Sequence, residues 1–378
     1  MSGVASAQDS TAMLSRLDGA QINKGFADSI AFTAFTAAKV AGAQVVYVDS
    51  GNVAWSYAFG QRRREPSLPM EHTTTTWAAS ITKGVFATYV MQLVERGEFD
   101  LDLPVARQLA KPLDQYGPYA KSATEVVKDP LWPTITPRML LAHTGGLLNF
   151  ASMEPDGLMR LHFKPGSRFQ YSGEGINLVQ FVVEQQKKAS LDTLMQDAIF
   201  GPLGMRRTGL IYRTEFADNV ADRYDADGKF LSKTTRFPAR GAGSMTSSAE
   251  DVARFATALM AGQVIQPGTM RAMLRPFVEI RTLHQFPVAA NEPEGKEAER
   301  VGLAYGMGWG LLTKTPYGPA FFKEGHGDGA QNYMICFERR RACMVILTNS
   351  DNGEKAFRAI LQGVMGENVT PWEWEGYP

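Results

Sequence analysis

An uncharged apolar stretch of about 18 residues, enough to cross a bilayer, is absent. The nearest run, residues 31–48, is broken by Lys39, so no membrane span is expected. Net charge is absent too: Lys plus Arg is 39 and Asp plus Glu is 39. With no basic excess, neither nucleic acid nor an anionic membrane surface is favoured as a partner. The five histidines, at 72, 143, 162, 284 and 326, lack metal-ligand spacing, so neither metal nor cofactor is expected. There is no Gly-x-Ser-x-Gly elbow, which disfavours that hydrolase fold. Gly306-Met-Gly-Trp-Gly310 sits on a strand-like run rather than before a helix, so it is no dinucleotide loop. Only two cysteines occur, Cys336 and Cys343, flanking Glu338-Arg-Arg-Arg341 at the tip of a predicted hairpin. Pairing Phe337 with Ala342 would set them face to face, at a spacing a disulfide can span. Free cysteine is commonly buried as a small hydrophobe, and that is the reading expected here.

What is present is ordinary globular material. Hydrophobic residues make up 44% and charged residues 21% of 378 residues, enough for a large core in two or three lobes. Val4-Ala5-Ser6-Ala7-Gln8 has the small-x-small form at which export signals are cut. The expectation is a periplasmic or secreted protein, otherwise a cytoplasmic one, with residues 1–9 a flexible tail.

Apolar spacing predicts a helix over residues 10–39, then a hairpin of strands 43–48 and 53–59 around a turn at 49–52. Helices are predicted at 84–97, 176–186 and 247–261, the last with a capping pattern in Ser247-Ser248-Ala249-Glu250. Residues 111–137, rich in Pro, Tyr and Lys, are expected to be an extended loop, and 281–303 a polar one. Strands follow at 308–313, 320–323, 333–337 and 342–347, then a helix over 353–365. This order predicts an α+β fold. One antiparallel sheet flanked by helices draws on residues 10–100 and 276–378, and 101–275 form an inserted, mainly helical lobe. A cleft between the two is the natural ligand site.

The stretch Trp77-Ala-Ala-Ser-Ile-Thr-Lys-Gly-Val-Phe86 places Ser80 and Lys83 three apart at a helix start. Side chains at i and i+3 share a face and can meet. A serine needs a base, and a lysine among apolar neighbours can lose its proton at ordinary pH. The helix start adds backbone N–H groups for an oxyanion. Four letters alone fit a capping serine and a solvated lysine better than a catalytic pair. Two further segments add to the case: Tyr171-Ser172-Gly173 after a Pro-Gly turn, and His326-Gly327-Asp328-Gly329 between two strands.

Together these segments resemble the serine β-lactamase and penicillin-binding-protein superfamily, nearest its class C β-lactamase-like branch of esterases, D-amino-acid peptidases and carboxypeptidases. Ser80 and Lys83 match its Ser-x-x-Lys, Tyr171-Ser172-Gly173 its Tyr-x-Asn, and His326-Gly327-Asp328 its His-x-Gly form of the third motif. Residues 96–105, 140–147, 202–205, 241–246 and 305–309 are similar as well, so the likeness runs in order from about residue 40 to 350. The resemblance implies a sheet with an inserted helical lobe. It implies Ser80 as nucleophile, and Lys83 and Tyr171 as its proton partners. It implies an oxyanion hole from the N–H groups of Ser80 and Gly329, with His326 as a hydrogen-bonding imidazole or cation. His143, in Leu141-Ala-His-Thr, is expected to be structural.

Two departures bear on substrate. Gly173 lacks the amide with which such enzymes hold a substrate amide. Asp328 places an acid where glycine is usual, and should repel an anionic substrate. Neutral esters or small amides are therefore expected as substrates, with β-lactams, D-aminoacyl peptides or a purely binding role as the alternatives.

Overall fold

The computed structural model describes residues 9–236, 238–286 and 293–377. The signal-like residues 4–8 and part of the 281–303 loop, residues 287–292, lie outside them.

Nine strands form one antiparallel sheet. In chain order they are β1 (Gly42–Asp49), β2 (Asn52–Arg63), β3 (Leu68–Pro69), β4 (Val278–Glu279), β5 (Leu303–Tyr305), β6 (Gly310–Leu312), β7 (Ala320–Gly327), β8 (Ala330–Phe337) and β9 (Ala342–Thr348). Their spatial order is β4-β5-β6-β7-β8-β9-β1-β2-β3, so β9 against β1 joins late chain to early chain. This is the single sheet that the order of segments implied. Successive residues of a strand point to opposite faces. Val46, Val48, Val345 and Leu347 enter one core, while Val45, Tyr47, Met344 and Ile346 enter the other. Both faces are covered, which is why these strands read as unbroken apolar runs rather than as alternation. Each such side chain contributes about 1.5–3 kcal/mol by leaving water.

The helices that matter here are α1 (Lys24–Ala37), α2 (Ile81–Glu95), α3 (Pro137–Leu141), α4 (Gly173–Lys187), α5 (Ala249–Met260), α6 (Glu354–Ile360) and α7 (Trp372–Glu375). Helices α2 and α5 share a core with one face of the sheet; α1 and α6 share one with the other.

Several predicted elements shift. Residues 10–39 are not one helix: Met13–Ser15 pairs with Gln21–Asn23 through a turn at Gly19, φ 85°. Helix α1 starts only at Lys24, where Asn23 Oδ1 accepts the Phe26 N–H at 2.7 Å. Residues 111–137 are four single 3₁₀ turns whose side chains Leu113, Tyr119, Val126 and Trp132 are buried. The aromatic and apolar residues of that segment anchor it, so it is not extended. Phe337 pairs with Ala342 as the hairpin reading required, and Cys336 and Cys343 are bonded as a disulfide rather than packed as free thiols. No helix of the described residues is long and apolar enough to cross a membrane.

Candidate active site

Thr76–Trp77 pairs with Thr246–Ser247, and the Ala78 N–H donates to Met245 O at 2.9 Å. The chain then turns sharply at Ala79, whose φ of 47° is uncommon for a residue with a Cβ. Ser80 follows as the N-cap of α2, yet its side chain makes no capping bond. Its Oγ instead accepts from Lys83 Nζ at 2.8 Å. Helix α2 starts three residues earlier than its apolar pattern suggested, and this puts both residues in its first turn.

Lys83 is 1% exposed, which removes the solvated-lysine reading. Its Nζ also donates to Ala242 O at 2.5 Å. Burial, and then the Lys323 ammonium, hold Lys83 well below the usual lysine range. A free amine beside a serine hydroxyl is a base for it.

Strand β7 fixes this corner by passing very close to it. A Cβ on Gly325 would stand 2.4 Å from Ala78 O and 3.3 Å from Ser80 N. Asn332 of β8 donates from Nδ2 to Trp77 O and to Gly325 O, each at 3.0 Å. The Ser80 N–H itself has no acceptor among the described residues.

Tyr171 comes from the turn before α4. Ser172 caps that helix, its Oγ accepting the Gly175 N–H at 3.0 Å and donating to Leu148 O at 2.8 Å. The Ser172 N–H donates to His143 Nδ1 at 3.1 Å, and the His143 ring stacks on the Tyr171 ring with centroids 4.4 Å apart. His143, fully buried, thus carries Tyr171 and makes no bond to Ser80. Lys83 Nζ and Lys323 Nζ each lie 4.8 Å from the Tyr171 ring centroid. Lys323 Nζ also donates to the phenol oxygen at 3.1 Å. Burial, then the Glu324 carboxylate, push the Tyr171 phenol well above its usual value, while contact with the Ser80 hydroxyl pulls the other way.

Lys323 and Glu324 were not singled out in the sequence. They are adjacent on β7, 0% and 2% exposed, and joined by a short ion pair. A lysine and a glutamate side by side in an otherwise apolar strand were the available signal.

The third predicted segment is placed in parts. His326 is half-buried, with Nε2 3.0 Å from Tyr377 Oη and 3.6 Å from the Glu354 carboxylate. Burial pulls it down to about 4, so at neutral pH it is an imidazole and not a cation. A Cβ on Gly327 would fall 2.1 Å from the Trp77 indole, so the strand needs glycine there. Asp328 is exposed at the mouth of the cleft. Its carbonyl accepts from Arg223 at 2.5 Å, and its charge acts on both Arg223 and Arg236. The Arg236 guanidinium lies 3.3 Å over the Trp77 ring. Arg223 and Arg236 thus oppose the Asp328 charge, so Asp328 does not face an incoming anion alone.

Gly329 departs from expectation. Its N–H donates to Asp351 Oδ1 at 2.5 Å, and the residue packs on the Arg223–Tyr224 backbone. The tight β7–β8 turn, φ 69° at Gly329, turns that N–H toward the residues leading into α6. Of the two expected oxyanion donors, only the Ser80 N–H is uncommitted.

Gly173 also gains an explanation. Its N–H donates to Asn149 Oδ1 at 2.8 Å, and a Cβ there would lie 2.8 Å from the Phe150 ring and 3.0 Å from Asn149 Oδ1. Asn149 and Phe150 fill the space of the missing side chain. A carboxamide thus still lines the cleft, supplied by a residue the motifs did not point to.

Ser80, Lys83, Tyr171, His326, Gly327 and Asp328 all border one cleft of about 1040 Å³. Tyr119, Phe150, Phe181 and Phe286 give it aromatic walls. It offers a hydroxyl with a base in contact, a phenol beside both, and apolar surface for a small substrate.

Known proteins resemble this chain over most of its length. The family described as Beta-lactamase matches residues 29–364. Esterase EstB of Burkholderia gladioli is 25% identical over 365 residues, spanning 77% of this chain and 90% of the esterase. The octameric penicillin-binding protein homologue from Pyrococcus abyssi superposes with a TM-score of 0.72 at 21% identity, over 93% of this chain and 80% of that one. The D-amino acid amidase from Ochrobactrum anthropi SV3 does so with a TM-score of 0.67 at 21% identity, over 90% of this chain and 96% of the amidase.

Proposed function

The chain belongs to the beta-lactamase family of serine hydrolases, and on that footing we propose that it hydrolyses small esters or amides through an acyl-enzyme on Ser80. The observation that carries this reading is the 2.8 Å contact between Ser80 Oγ and a buried Lys83.

Ser80 Oγ attacks the substrate carbonyl carbon. Its proton passes to the Lys83 amine as the new C–O bond forms and the carbonyl π pair moves to oxygen. The Ser80 N–H, uncommitted in the resting protein, receives that oxyanion. When the tetrahedral centre collapses, the bond to the leaving group breaks. The proton from Lys83, relayed by the Tyr171 phenol, neutralises the departing group. Water then repeats the sequence against the acyl-enzyme and frees Ser80.

Substrate class is read from the walls. Phe150, Phe181 and Phe286 suit an apolar acyl or leaving group, and Asn149 offers a carboxamide to a substrate carbonyl or amide. The relatives include an esterase and a D-amino acid amidase, consistent with either bond type. The Cys336–Cys343 disulfide supports the exported location expected from residues 4–8, since such bonds persist in oxidising compartments.

One observation favours a second reading, a binding module without turnover: the Gly329 N–H is taken by Asp351. A panel of p-nitrophenyl esters, a D-aminoacyl p-nitroanilide and a chromogenic cephalosporin separates the two. Product release by the wild type but not by Ser80→Ala is the expected result. No turnover and no acyl adduct with any of them would favour the binding module.

A further inference from the structure

Lys323 and Glu324 are the most deeply buried charges beside the cleft, and the proposed chemistry does not consume either. An unneeded ion pair in a core is costly to desolvate, and apolar residues of like volume usually serve as well. Its position gives it a use. Lys323 Nζ donates to the Tyr171 phenol at 3.1 Å, lies 4.8 Å from the ring that Lys83 Nζ also faces, and is paired with the Glu324 carboxylate.

We propose that the Lys323–Glu324 pair sets the protonation state of the Ser80 centre: Lys323 holds the Tyr171 phenol, and its charge keeps Lys83 a free amine. Glu324 favours the charged form of Lys323, against the burial that disfavours it. Both are positioning residues, acting through Lys83 and Tyr171. The inference rests on Ser80 being the nucleophile.

The surroundings leave this task to Lys323. Burial favours the neutral form of His143 and His326, and Arg223, Arg236 and Arg240 line the cleft while the charges that act on Lys83 are those of Lys323 and Glu324. Acids approach from two other elements, Glu375 of α7 and Glu354 of α6. Glu375 is buried, and burial followed by Glu324 pushes it well above the usual range. Burial likewise pushes Glu354 up. Tyr305, Tyr333 and Tyr377 are buried phenols held neutral. Lys323 is therefore the cation that opposes a proton on Lys83, and Glu324 the anion that would favour one.

The sign follows. Ser80 reacts when Lys83 is unprotonated, so reactivity rises with pH through the Lys83 value in the folded protein. Removing the Lys323 charge makes Lys83 hold its proton to higher pH, and the acid limb moves up.

The test is the pH dependence of Ser80 phosphonylation by an alkyl fluorophosphonate, followed by intact mass for wild type, Lys323→Met and Lys323→Met/Glu324→Gln. The double variant does not strand the Glu324 carboxylate without its partner, and it carries the test if the single variant fails to fold. The expected result is an acid limb shifted upward by about one unit in Lys323→Met, or about tenfold slower labelling below it, and by a smaller step in the double variant, which also removes the Glu324 charge that opposes Lys323. An unmoved limb, with labelling lowered equally at all pH values, would make the pair merely structural and overturn the inference. No labelling of Ser80 in the wild type would instead overturn the nucleophile reading beneath it.

Discussion

At the floor of the cleft Lys83 and Lys323 are buried, hydrogen-bonded and packed about one tyrosine ring. At its mouth Arg223, Arg236 and the exposed Asp328 share charge across a half-open surface. In the floor, low dielectric makes each charge decide the state of its neighbours. At the mouth, solvent and counter-ions screen charges, and a single substitution moves binding only slightly. The floor thus sets what bond-making is possible, and the mouth sets which molecules arrive.

Substitutions that test this contrast should fall in a graded series. Ser80→Ala is expected to lower kcat/KM for a p-nitrophenyl ester by about 10⁴-fold or more, since no other group forms the acyl bond. Lys83→Met should cost about 10³-fold in kcat, within the usual range for a lost general base, while folding is kept because Met fills similar space in the buried site without a polar group. Gly325→Ala drives a methyl into Ala78 O and Ser80 N. Moving the nucleophile by a fraction of an ångström should lower kcat about 10²-fold with KM little changed. A mutant with unaltered kcat would show that the close approach of β7 does not position Ser80. Smallest is Asp328→Asn. It uncovers Arg223 and Arg236, so KM for an ester bearing a carboxylate should fall about two- to fivefold at low salt. The effect should vanish in 1 M salt, with kcat and neutral esters unaffected. Steady-state kinetics at two ionic strengths checks it.

The same contrast explains what the sequence revealed. The floor was legible because short local patterns encode it: three residues along one helix turn place Lys83 on Ser80, and a Pro-Gly turn before a helix delivers Tyr171. The two-ended sheet was legible because strands buried on both faces leave strong apolar runs at 43–48 and 342–347. Long-range pairings were hidden. Nothing near Gly329 shows that Asp351, 22 residues later, takes its N–H. Nothing near Gly173 shows that Asn149 fills its place. Nothing in the apolar run at 320–323 shows that Lys323 lies buried between the covered faces of the sheet. The residues 10–39 pattern misled because Leu14 and Leu17 are buried in a small hairpin, where helical spacing arises by accident.

The claim on which the rest depends is that Ser80 becomes acylated. It is met directly by rapid acid quench of the protein with p-nitrophenyl butyrate, followed by intact mass and peptide mapping. One butyryl group on the peptide carrying Ser80, absent from Ser80→Ala and lost on standing before quench, is the result expected. Hydrolysis of the ester with no acyl group on Ser80, or with the group on another residue, would contradict it.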